Sequence, residues 1–442
     1  MHFIYDILII LIAILAMPMF ISRAIKEEGF AERFRQSFGR LSPETLEKVA
    51  NKDAIWLHAA SVGEIVATSP IIKEIRRNLP DATIMISVVT ANGYMMAKRI
   101  IPEADGIIFF PLDLPFLSHS IVKKIRPKIL LLVETELWPN FLKSARTLKI
   151  PVVMVNGRIS ERSFKGYTYL LGLVKSMVGT VVQFCMQSTI DAQHIIRLGA
   201  DPRRVVVTGN TKFDQNYTKI DENEKKDLKE ELAISNKSPI IVAGSTHKGE
   251  EGLIFNSFKE IKKTHKDAAL IIAPREILRT NEVLDLAIKH GLPTTVKRTL
   301  IKESGFTNHD VIVLDTIGEL GRFYGLGDVI YVGGSLVTQG GHNILEPAAH
   351  GKPIIVGPHM FNFKDTYALF SERGACVTVY DNLSLTEEIL ELLENKERRD
   401  TMSQESLNII QENKGASQKT YVYLKEVLAR YDIDTQEQNQ II

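Results

Sequence analysis

The sequence predicts an α/β fold with two doubly wound parallel sheets, preceded by an apolar N-terminal segment. After residue 50, short runs of β-branched and other apolar residues alternate with helical patterns. Runs that are apolar on both faces are typical of parallel strands with helices packed on either side. The highly charged stretch 218–238 interrupts this alternation once, as a linker or an exposed helix, and the alternation then restarts. Two similar α/β domains are therefore expected.

Each domain contributes seven candidate strands. The first seven are AIWLHAA, TIMISVVT, GIIFFPL, KILLLVET, PVVMVNG, VVQFCMQ and RVVVTGN. The second seven are PIIVAGST, AALIIAPR, TTVKRT, DVIVLDT, DVIYVGG, KPIIVGP and ACVTVY. We expect Rossmann-like domains at about 45–215 and 235–415, with a helix and polar tail at 416–442. Ligands bind at the carboxyl ends of parallel strands, so a cleft between the domains is the expected site.

Composition excludes several classes of protein. With 442 residues, 45% of them hydrophobic and 24% charged, the chain is neither disordered nor a small disulfide scaffold. Its two cysteines, Cys185 and Cys376, lie in apolar runs and are expected to be buried free thiols. The net charge of +1 gives no general case for nucleic-acid binding. Residues 1–210 nevertheless carry 26 basic and 18 acidic residues. This half is expected to face an anionic surface, unless its charges are merely scattered in solvent.

The N-terminal residues 1–22 are predicted to be a membrane anchor. Residues 3–21 are apolar apart from Asp6, and nineteen helical residues span about 28 Å, close to the hydrocarbon thickness of a bilayer. Because Pro18 would kink a spanning helix and Asp6 lies near its far end, a helix lying in the interface is the alternative. An ordinary buried helix is less favoured, since the run has no polar face. The run is followed by five basic residues, which indicate a cytoplasmic flank: Arg23, Lys26, Arg33, Arg35 and Arg40.

Three strand ends in the first domain carry candidate catalytic residues. HAASVGE ends with Glu64 in the first turn of a helix, as a catalytic base or as an acid that caps the helix. ETELWPN places Glu134 and Glu136 on one side of an extended segment, where paired carboxylates suit acid–base or electrostatic work. One of them is alternatively a structural acid, since Trp138 and Pro139 are expected to begin a helix. TGNTKFD offers Lys212 as a cation after a glycine turn, unless it is a solvated lysine.

Two strand ends in the second domain are typical of anion binding. In AGSTHKGEE the Gly and Ser residues are expected to open a helix, as a phosphate site or as an ordinary capped turn. The motif YVGGSLVTQGGHNILEPAAHGKP is a glycine-rich loop before a helix, with Asn343 and Glu346 expected in its first turn. A carboxylate there can accept both ribose hydroxyls, unless it only caps the turn. His342 and His350 have no partner at a metal-ligand spacing, so no metal site is expected.

Taken together, these motifs resemble those of the 3-deoxy-D-manno-octulosonic acid (Kdo) transferases. The resemblance rests on HAASVGE, ETELWPN, NGRIS, GNTKFD, AGSTHKGEE, IIAPRE and GGHNILEPAAHGKPIIVGP, and it extends from the anchor to about residue 420. It implies a GT-B fold, CMP-Kdo as donor, a lipid A precursor (lipid IVA) as acceptor, and an inverting mechanism without a metal or cofactor. It further implies a bacterial inner-membrane enzyme with cytoplasmic catalytic domains and no nucleic-acid partner.

The resemblance also implies roles for individual residues. Glu64 matches the base of the family, while Glu134 and Lys212 match residues assigned to transition-state stabilisation. Donor binding is assigned to three segments: Pro274 and Arg275; Gly318, Glu319 and Leu320; and Asn343, Ile344, Leu345 and Glu346.

Other functions remain open on the sequence alone. A nucleotide-sugar epimerase or another nucleotide-sugar glycosyltransferase would share the double Rossmann-like architecture. A structural membrane protein is a rival from a different class. The apolar anchor argues against a soluble epimerase, and the carboxylates at two strand ends argue against a scaffold.

Overall fold

The computed structural model describes residues 2–26, 30–303 and 309–440, with the side chains of 23–26, 30 and 433–440 outside the description. Two of the five basic residues that follow the apolar run, Arg23 and Lys26, therefore have side chains outside it. The chain forms two compact units. Unit 1 comprises Met1–Gln215 with Asn413–Ile442, and unit 2 comprises Asn216–Glu412.

Unit 1 contains a parallel sheet of seven described strands in the order β3-β2-β1-β4-β5-β6-β7. The strands are β1 (Ile55–His58), β2 (Ile84–Val88), β3 (Gly106–Phe109), β4 (Ile129–Val133), β5 (Val152–Gly157), β6 (Val181–Met186) and β7 (Val205–Val207). Each falls within one of the seven predicted runs. The strand order reverses between β1 and β4, which is where ligands bind in open α/β sheets.

Unit 2 repeats this architecture with seven described parallel strands in the order β10-β11-β9-β8-β12-β13-β14. They are β8 (Ile240–Thr246), β9 (Ala269–Pro274), β10 (Thr295–Lys297), β11 (Val311–Val313), β12 (Val329–Val332), β13 (Ile354–Val356) and β14 (Cys376–Thr378). The predicted pair of doubly wound parallel sheets is confirmed. Here the strand order reverses between β8 and β12.

Helices connect the strands and cover both sheets. In chain order they are α1 (His2–Lys26), α2 (Phe30–Ser37), α3 (Pro43–Val49), α4 (Val62–Asn78), α5 (Ala91–Ile100), α6 (Pro115–Ile125), α7 (Pro139–Thr147), α8 (Glu161–Tyr169), α9 (Leu171–Val178), α10 (Thr189–Arg197), α11 (Glu222–Glu231), α12 (Glu251–Thr264), α13 (Thr280–Lys289), α14 (Leu320–Tyr324), α15 (Leu345–Ala349), α16 (Lys364–Glu372), α17 (Asn382–Glu394), α18 (Lys396–Asn413) and α19 (Ala416–Gln440). The charged stretch 218–238 contains α11.

The central strands of unit 1, β1, β2, β4 and β5, are buried on both faces because successive side chains point into different layers. Trp56 and Leu130 pack into one hydrophobic cluster, with helices α6, α7 and α9. Leu57 and Leu131 pack into the opposite cluster, with α4 and α19. This two-sided burial explains why the strands read as unbroken apolar runs. The free thiols of Cys185 and Cys376 are both buried, as predicted.

The C-terminal helix α19 returns to unit 1. Its Tyr421, Leu424 and Val427 belong to the cluster beneath β1 and β2. Asp214 fixes the start of this segment, because its carboxylate accepts bonds from Gly415 N (2.6 Å), Ser417 N (2.6 Å) and Ser417 Oγ (2.7 Å). The segment 416–442, which the sequence analysis set apart as a helix and tail, therefore supplies part of the first core.

The N-terminal helix α1 is the one described helix that is long and apolar enough to cross a membrane, over His2–Ser22. Pro18 lies inside it. Most of its large apolar side chains are exposed, with Leu15 reaching 79%. These features make α1 a candidate membrane anchor.

Candidate active site

Glu64 lies after β1, in the first turn of α4, at the point where the strand order of unit 1 reverses. Ser61 caps the helix by accepting a bond from Glu64 N (3.3 Å), and it donates its own hydroxyl to Glu64 Oε1 (2.8 Å). The other carboxylate oxygen accepts a bond from Ala60 N (2.7 Å). Glu64 is therefore bonded to the N-terminal end of α4, as the structural interpretation predicts, and its role as a base stays a prediction.

The environment of Glu64 favours its protonated form. The residue is only 9% exposed. Burial, together with the charges of Glu136 and Glu134, raises the pKa of Glu64 to about 8, against the opposing bonds from Ala60 and Ser61. A carboxylate with this pKa accepts a proton far more readily than a solvated glutamate does. The structure thus gives Glu64 the basicity that proton abstraction near neutral pH requires.

Glu134 and Lys212 form an ion pair at the same edge of the sheet. Lys212 Nζ lies 3.4 Å from Glu134 Oε1, and both side chains are largely buried. Glu134 directly follows β4 and has a φ of 56°, in the left-handed region that non-glycine residues rarely adopt. Backbone strain of this kind is concentrated at functional sites. The pair brings a fixed positive charge to the group of carboxylates.

Glu136 is held by a different set of contacts. Its Oε2 lies 3.4 Å from Nε2 of the fully buried His58 and accepts a bond from Trp138 Nε1 (2.7 Å). Burial alone would raise the pKa of Glu136, but the contacts with His58 and Trp138 outweigh it and lower the pKa. His58 in turn contacts Ser87 through Nδ1 (3.0 Å to Oγ) and stacks on Phe110. Glu136 therefore stays ionised and raises the pKa of Glu64.

The prediction that Glu134 and Glu136 share one side of an extended segment is wrong. The strand ends at Val133, and the left-handed Glu134 starts a turn. Because of this turn, Glu134 pairs with Lys212, whereas Glu136 contacts His58. The adjoining prediction, that Trp138 and Pro139 begin a helix, is confirmed: Trp138 is the N-cap residue of α7 and Pro139 its first residue.

A short 3-10 turn over Thr211–Asp214 positions Lys212. Asn210 Oδ1 accepts a bond from Lys212 N (3.0 Å), and Asn156 Oδ1 accepts one from Thr211 N (3.0 Å). Asn156 is fully buried at the end of β5. Asn156 begins the NGRIS motif, but the sequence gives no sign of its role, because its contact with Thr211 joins residues 55 positions apart. These two bonds fix the backbone of the turn, and the side chain of Lys212 extends from it to Glu134.

The predicted donor-binding residues around Glu346 lie in unit 2. This residue is in the first turn of α15, and burial raises its pKa against opposing contributions from Asn343 and Arg275. Asn343 Nδ2 donates to Glu346 Oε1 (3.4 Å), and Asn343 Oδ1 accepts from Leu345 N (3.1 Å). The expectation that Asn343 lies inside the helix is wrong, because α15 begins at Leu345. The side chain instead caps the start of the helix.

The other predicted donor-binding residues lie at neighbouring loops of unit 2. Pro274 ends β9, and Arg275 follows it with an exposed side chain whose charge acts on Glu346. Gly318 has a φ of 93°, which requires glycine. Glu319 precedes α14, contacts Thr316 and lies 3.4 Å from Arg298, and Leu320 begins α14. The structure thus places all three segments in unit 2.

Glu250 is the residue of this region that the sequence analysis missed. It is fully buried, and its carboxylate accepts bonds from the backbone N–H groups of Gly334, Ser335 and Leu336 (2.7, 3.0 and 3.0 Å). It also accepts bonds from Tyr331 Oη (2.7 Å) and His247 N (2.9 Å). Glu250 thereby fixes the glycine-rich loop that leads towards Asn343 and Glu346. The one sequence signal for Glu250 was the pair of adjacent acids in HKGEE, which does not indicate by itself which acid is buried.

The expectation that the Gly and Ser residues of AGSTHKGEE open a helix is wrong. Gly244 and Ser245 still belong to β8, and α12 begins at Glu251. The strand continues because it is paired with both β9 and β12. The turn after it brings His247 onto His342, with an Nε2–Nε2 distance of 2.8 Å. Burial, then the charges of Arg275 and His247, lowers the pKa of His342 to about 4.

Metal binding finds no support in the described part of the chain. No group of three His, Cys, Asp or Glu side chains that could hold a metal ion occurs among those residues. His350 contacts the backbone carbonyl of Gly321 (2.8 Å). The cations that face the predicted sites are side chains, Lys212 in unit 1 and Arg275 in unit 2.

Comparisons with known proteins show which family the chain resembles. The family model "3-Deoxy-D-manno-octulosonic-acid transferase (kdotransferase)" matches residues 32–215. The 3-deoxy-D-manno-octulosonic acid transferase of Haemophilus influenzae is 33% identical over 377 residues, which are 85% of this chain and 87% of the relative. A bifunctional glycosyltransferase/methyltransferase of Fusobacterium nucleatum is 34% identical over 372 residues, covering 84% of this chain and 57% of that protein.

A solved structure shares the two-unit architecture. UDP-GlcNAc 2-epimerase from Neisseria meningitidis, bound to UDP-GlcNAc, aligns with a TM-score of 0.57 over 84% of this chain and 100% of the epimerase. Their sequence identity of 15% shows a shared fold alone. The fold and the acidic strand ends thus define a GT-B-like protein of two Rossmann-like units. Within that class, the chain belongs to the 3-deoxy-D-manno-octulosonic acid transferase family and is a glycosyltransferase.

Proposed function

We propose that this enzyme transfers Kdo from CMP-Kdo to a lipid A precursor, with Glu64 as the general base. Membership of the Kdo transferase family supports Kdo as the sugar that is transferred. The observation that carries the mechanism is the buried Glu64, whose pKa is raised to about 8 beside Glu134 and Glu136. An acceptor hydroxyl must lose its proton as it attacks, and a carboxylate of this basicity can take it.

The proposed reaction is a single displacement with inversion. The acceptor oxygen forms a bond to the anomeric carbon of Kdo, and the bond from that carbon to the phosphate oxygen of CMP breaks. The hydroxyl proton passes to Glu64, and CMP departs with the bonding electrons. The bonds, the electrons and the proton are all accounted for by these groups, so the proposed reaction needs no cofactor. Lys212, held 3.4 Å from Glu134, supplies positive charge where negative charge develops.

Donor binding is assigned to unit 2. We propose that Glu346 accepts the ribose hydroxyls and that Asn343 orients it, since their side chains are already bonded to each other. Arg275 offers a cation for the phosphate, beside the backbone of Pro274. The remaining proposed contacts come from backbone and side-chain groups of two short segments: Gly318, Glu319 and Leu320, and Ile344 and Leu345.

A lipid acceptor explains why an apolar helix precedes the catalytic units. The helix α1 leaves most of its large apolar side chains exposed, and a protein held at a bilayer searches a surface rather than a volume for its acceptor. We propose that the enzyme acts at the cytoplasmic face of the bacterial inner membrane. Its proposed partners are CMP-Kdo, the lipid A precursor and the lipids of that membrane, and no nucleic acid is among them.

Product analysis tests this function directly. The full chain is incubated with CMP-Kdo and a defined tetra-acylated lipid A precursor, and the lipid product is identified by mass. We expect Kdo to be added, and we expect the same yield in excess EDTA because no metal takes part. Addition of another sugar, or epimerisation of a UDP-sugar without transfer, would reject the proposal. Loss of activity in EDTA would reject its metal-free mechanism alone.

The donor assignment predicts that Glu346→Ala weakens CMP binding by about 2 kcal/mol, or about 30-fold in Kd, as expected for the loss of charged hydrogen bonds to ribose. Isothermal titration calorimetry of CMP measures this change. The matched control is Glu387→Ala, an exposed acid on α17, which should leave the affinity unchanged. Unaltered CMP affinity in the Glu346 variant would remove this residue from the donor site.

A further inference from the structure

We propose that α1 lies flat in the cytoplasmic leaflet, with one side against unit 1 and the other in lipid, and does not cross the bilayer. This proposal rests on the proposed function in one respect, the cytoplasmic position of the catalytic units. It is carried by contacts at both ends of the helix, by the pattern of exposure along it, and by the surface that surrounds it.

The N-terminal end of α1 is bonded to unit 1. Tyr5 Oη donates to Asp113 Oδ2 (2.9 Å), and His2 Nε2 lies 3.1 Å from Ser176 Oγ on α9. Asp113 is itself buried, where it also accepts bonds from the first N–H groups of α7, Asn140 N (2.9 Å) and Phe141 N (2.8 Å). Tyr5 thus contacts a carboxylate that is built into the domain.

The other end of α1 contacts the same unit. Phe20 packs against Phe34 of α2, with ring centroids 6.4 Å apart. The helix α2 is fixed to unit 1 because Gln36 Oε1 accepts a bond from Phe109 N in β3 (2.8 Å). The 21 residues of the apolar segment extend about 30 Å. A helix that crossed the bilayer could touch a cytoplasmic unit at one end only.

Exposure along α1 follows the helical period. Most partly covered positions recur every three or four residues and form one stripe, which includes His2, Tyr5, Ile9, Ala13, Met17 and Phe20. The exposed positions form the opposite stripe, which includes Phe3, Ile4, Leu8, Leu11, Leu15 and Met19. The polar residues His2 and Tyr5 lie on the covered stripe. Unit 1 therefore partly covers the side that a flat helix would otherwise present to water, which explains why α1 needs no charged face.

The surface next to α1 suits a bilayer with anionic headgroups. Phe116, three residues after Asp113, is 83% exposed, and Tyr169, just before α9, is 87% exposed. These exposed aromatic side chains lie within a few residues, along the chain, of Asp113 and of α9, both of which contact α1, and they add exposed apolar surface to unit 1. Lys143 and Arg146 of α7 are exposed and lie close enough to act on the charge of His2. Such cations attract anionic lipid headgroups.

The position of the N-terminus distinguishes a flat helix from a spanning one. A short tag with a single cysteine is placed before Met1 of the full chain, and an impermeant maleimide is applied to spheroplasts and to inverted inner-membrane vesicles. The native Cys185 and Cys376 are buried and give a low background. We expect the tag to react in inverted vesicles and not in spheroplasts. Reaction in spheroplasts would overturn the flat orientation.

A control variant separates this outcome from failure of the proposed location. Glu387→Cys, at an exposed position of α17, reports the side on which unit 2 lies and should react in inverted vesicles only. If this cysteine reacts in spheroplasts, the cytoplasmic location itself is wrong. If it reacts only in inverted vesicles while the tag reacts in spheroplasts, the location stands and α1 crosses the membrane.

Thermal unfolding in detergent gives an independent readout of the contact between α1 and unit 1. Tyr5→Phe removes the bond to the buried Asp113 and should lower Tm by about 2–5 °C. Tyr169→Phe, which changes an exposed tyrosine in the same way, should leave Tm unchanged. A helix that extends away from the unit leaves Tyr5 without this contact. Equal Tm values for Tyr5→Phe and the unmodified chain would therefore overturn the proposal.

Discussion

Glu64→Gln is expected to lower kcat by at least about 100-fold, because the amide keeps the size and polarity of the side chain but cannot accept the acceptor's proton. Single-turnover transfer of Kdo to the lipid acceptor measures the chemical step. CMP binding should be retained, since the proposed donor residues all belong to unit 2. Glu74→Gln, further along the same helix, is the matched control and should keep normal activity. Near-normal turnover in Glu64→Gln would exclude this residue as the base.

The pH profile provides a second measurement of the same role. The base is active as a carboxylate, and the pKa of Glu64 is raised to about 8. The value of kcat/KM should therefore rise with pH, about tenfold per unit, and level off above about pH 8. The residual activity of Glu64→Gln should lack this rise. An unmodified enzyme whose kcat/KM is already flat between pH 5 and 7 would contradict the assignment.

Lys212→Met is expected to lower kcat by at least about 100-fold, as is typical when one preorganised charge is removed from a transition state. The substitution keeps a long apolar stem and removes the cation that lies 3.4 Å from Glu134. Lys212→Arg should recover part of the activity, because the charge is restored with a different shape. Lys73→Met, on the exposed side of α4, serves as the control for loss of a lysine.

The pairing of Lys212 with Glu134 makes this prediction more specific. If the two residues act as a unit, combining Lys212→Met with Glu134→Gln should cost little more than the worse of the single changes. Losses in kcat that multiply fully would show that the two residues act separately. A loss confined to KM, with kcat preserved in Lys212→Met, would move this lysine from transition-state stabilisation to ground-state binding.

The sequence predicted the fourteen described strands because the central ones, such as β1 and β8, are buried on both faces, and two-sided burial leaves an unbroken apolar run. It also placed Glu64 at the start of a helix, since small residues after a strand mark that turn. It failed at Glu134, where the chain leaves the strand in a left-handed conformation that period-two reasoning does not foresee. Asn343 was misplaced by two residues because a capping side chain and a first-turn side chain have similar sequence patterns.

Contacts between distant residues account for what the sequence left unseen. The role of Glu250 depends on a loop 84–86 positions further along the chain. The covered stripe of α1 was hidden because both sides of the helix are apolar, so hydrophobicity alone cannot tell which side faces protein. The spacing of His2 and Tyr5, which share one helical face, is the sequence signal that could have distinguished the side facing protein from the side facing lipid.

The three bonds from Asp214 to Gly415 and Ser417 have a consequence for how the enzyme is made. Asp214 closes the turn that holds Lys212, yet its partners lie about two hundred residues downstream. At about 5–20 residues per second, the ribosome needs roughly 10–40 s to supply them. During that interval unit 1 also lacks α19, which completes one layer of its core. The turn that carries the proposed catalytic lysine is therefore secured only after Ser417 has been made, so a chain that terminates before this residue lacks the bonds that close the turn.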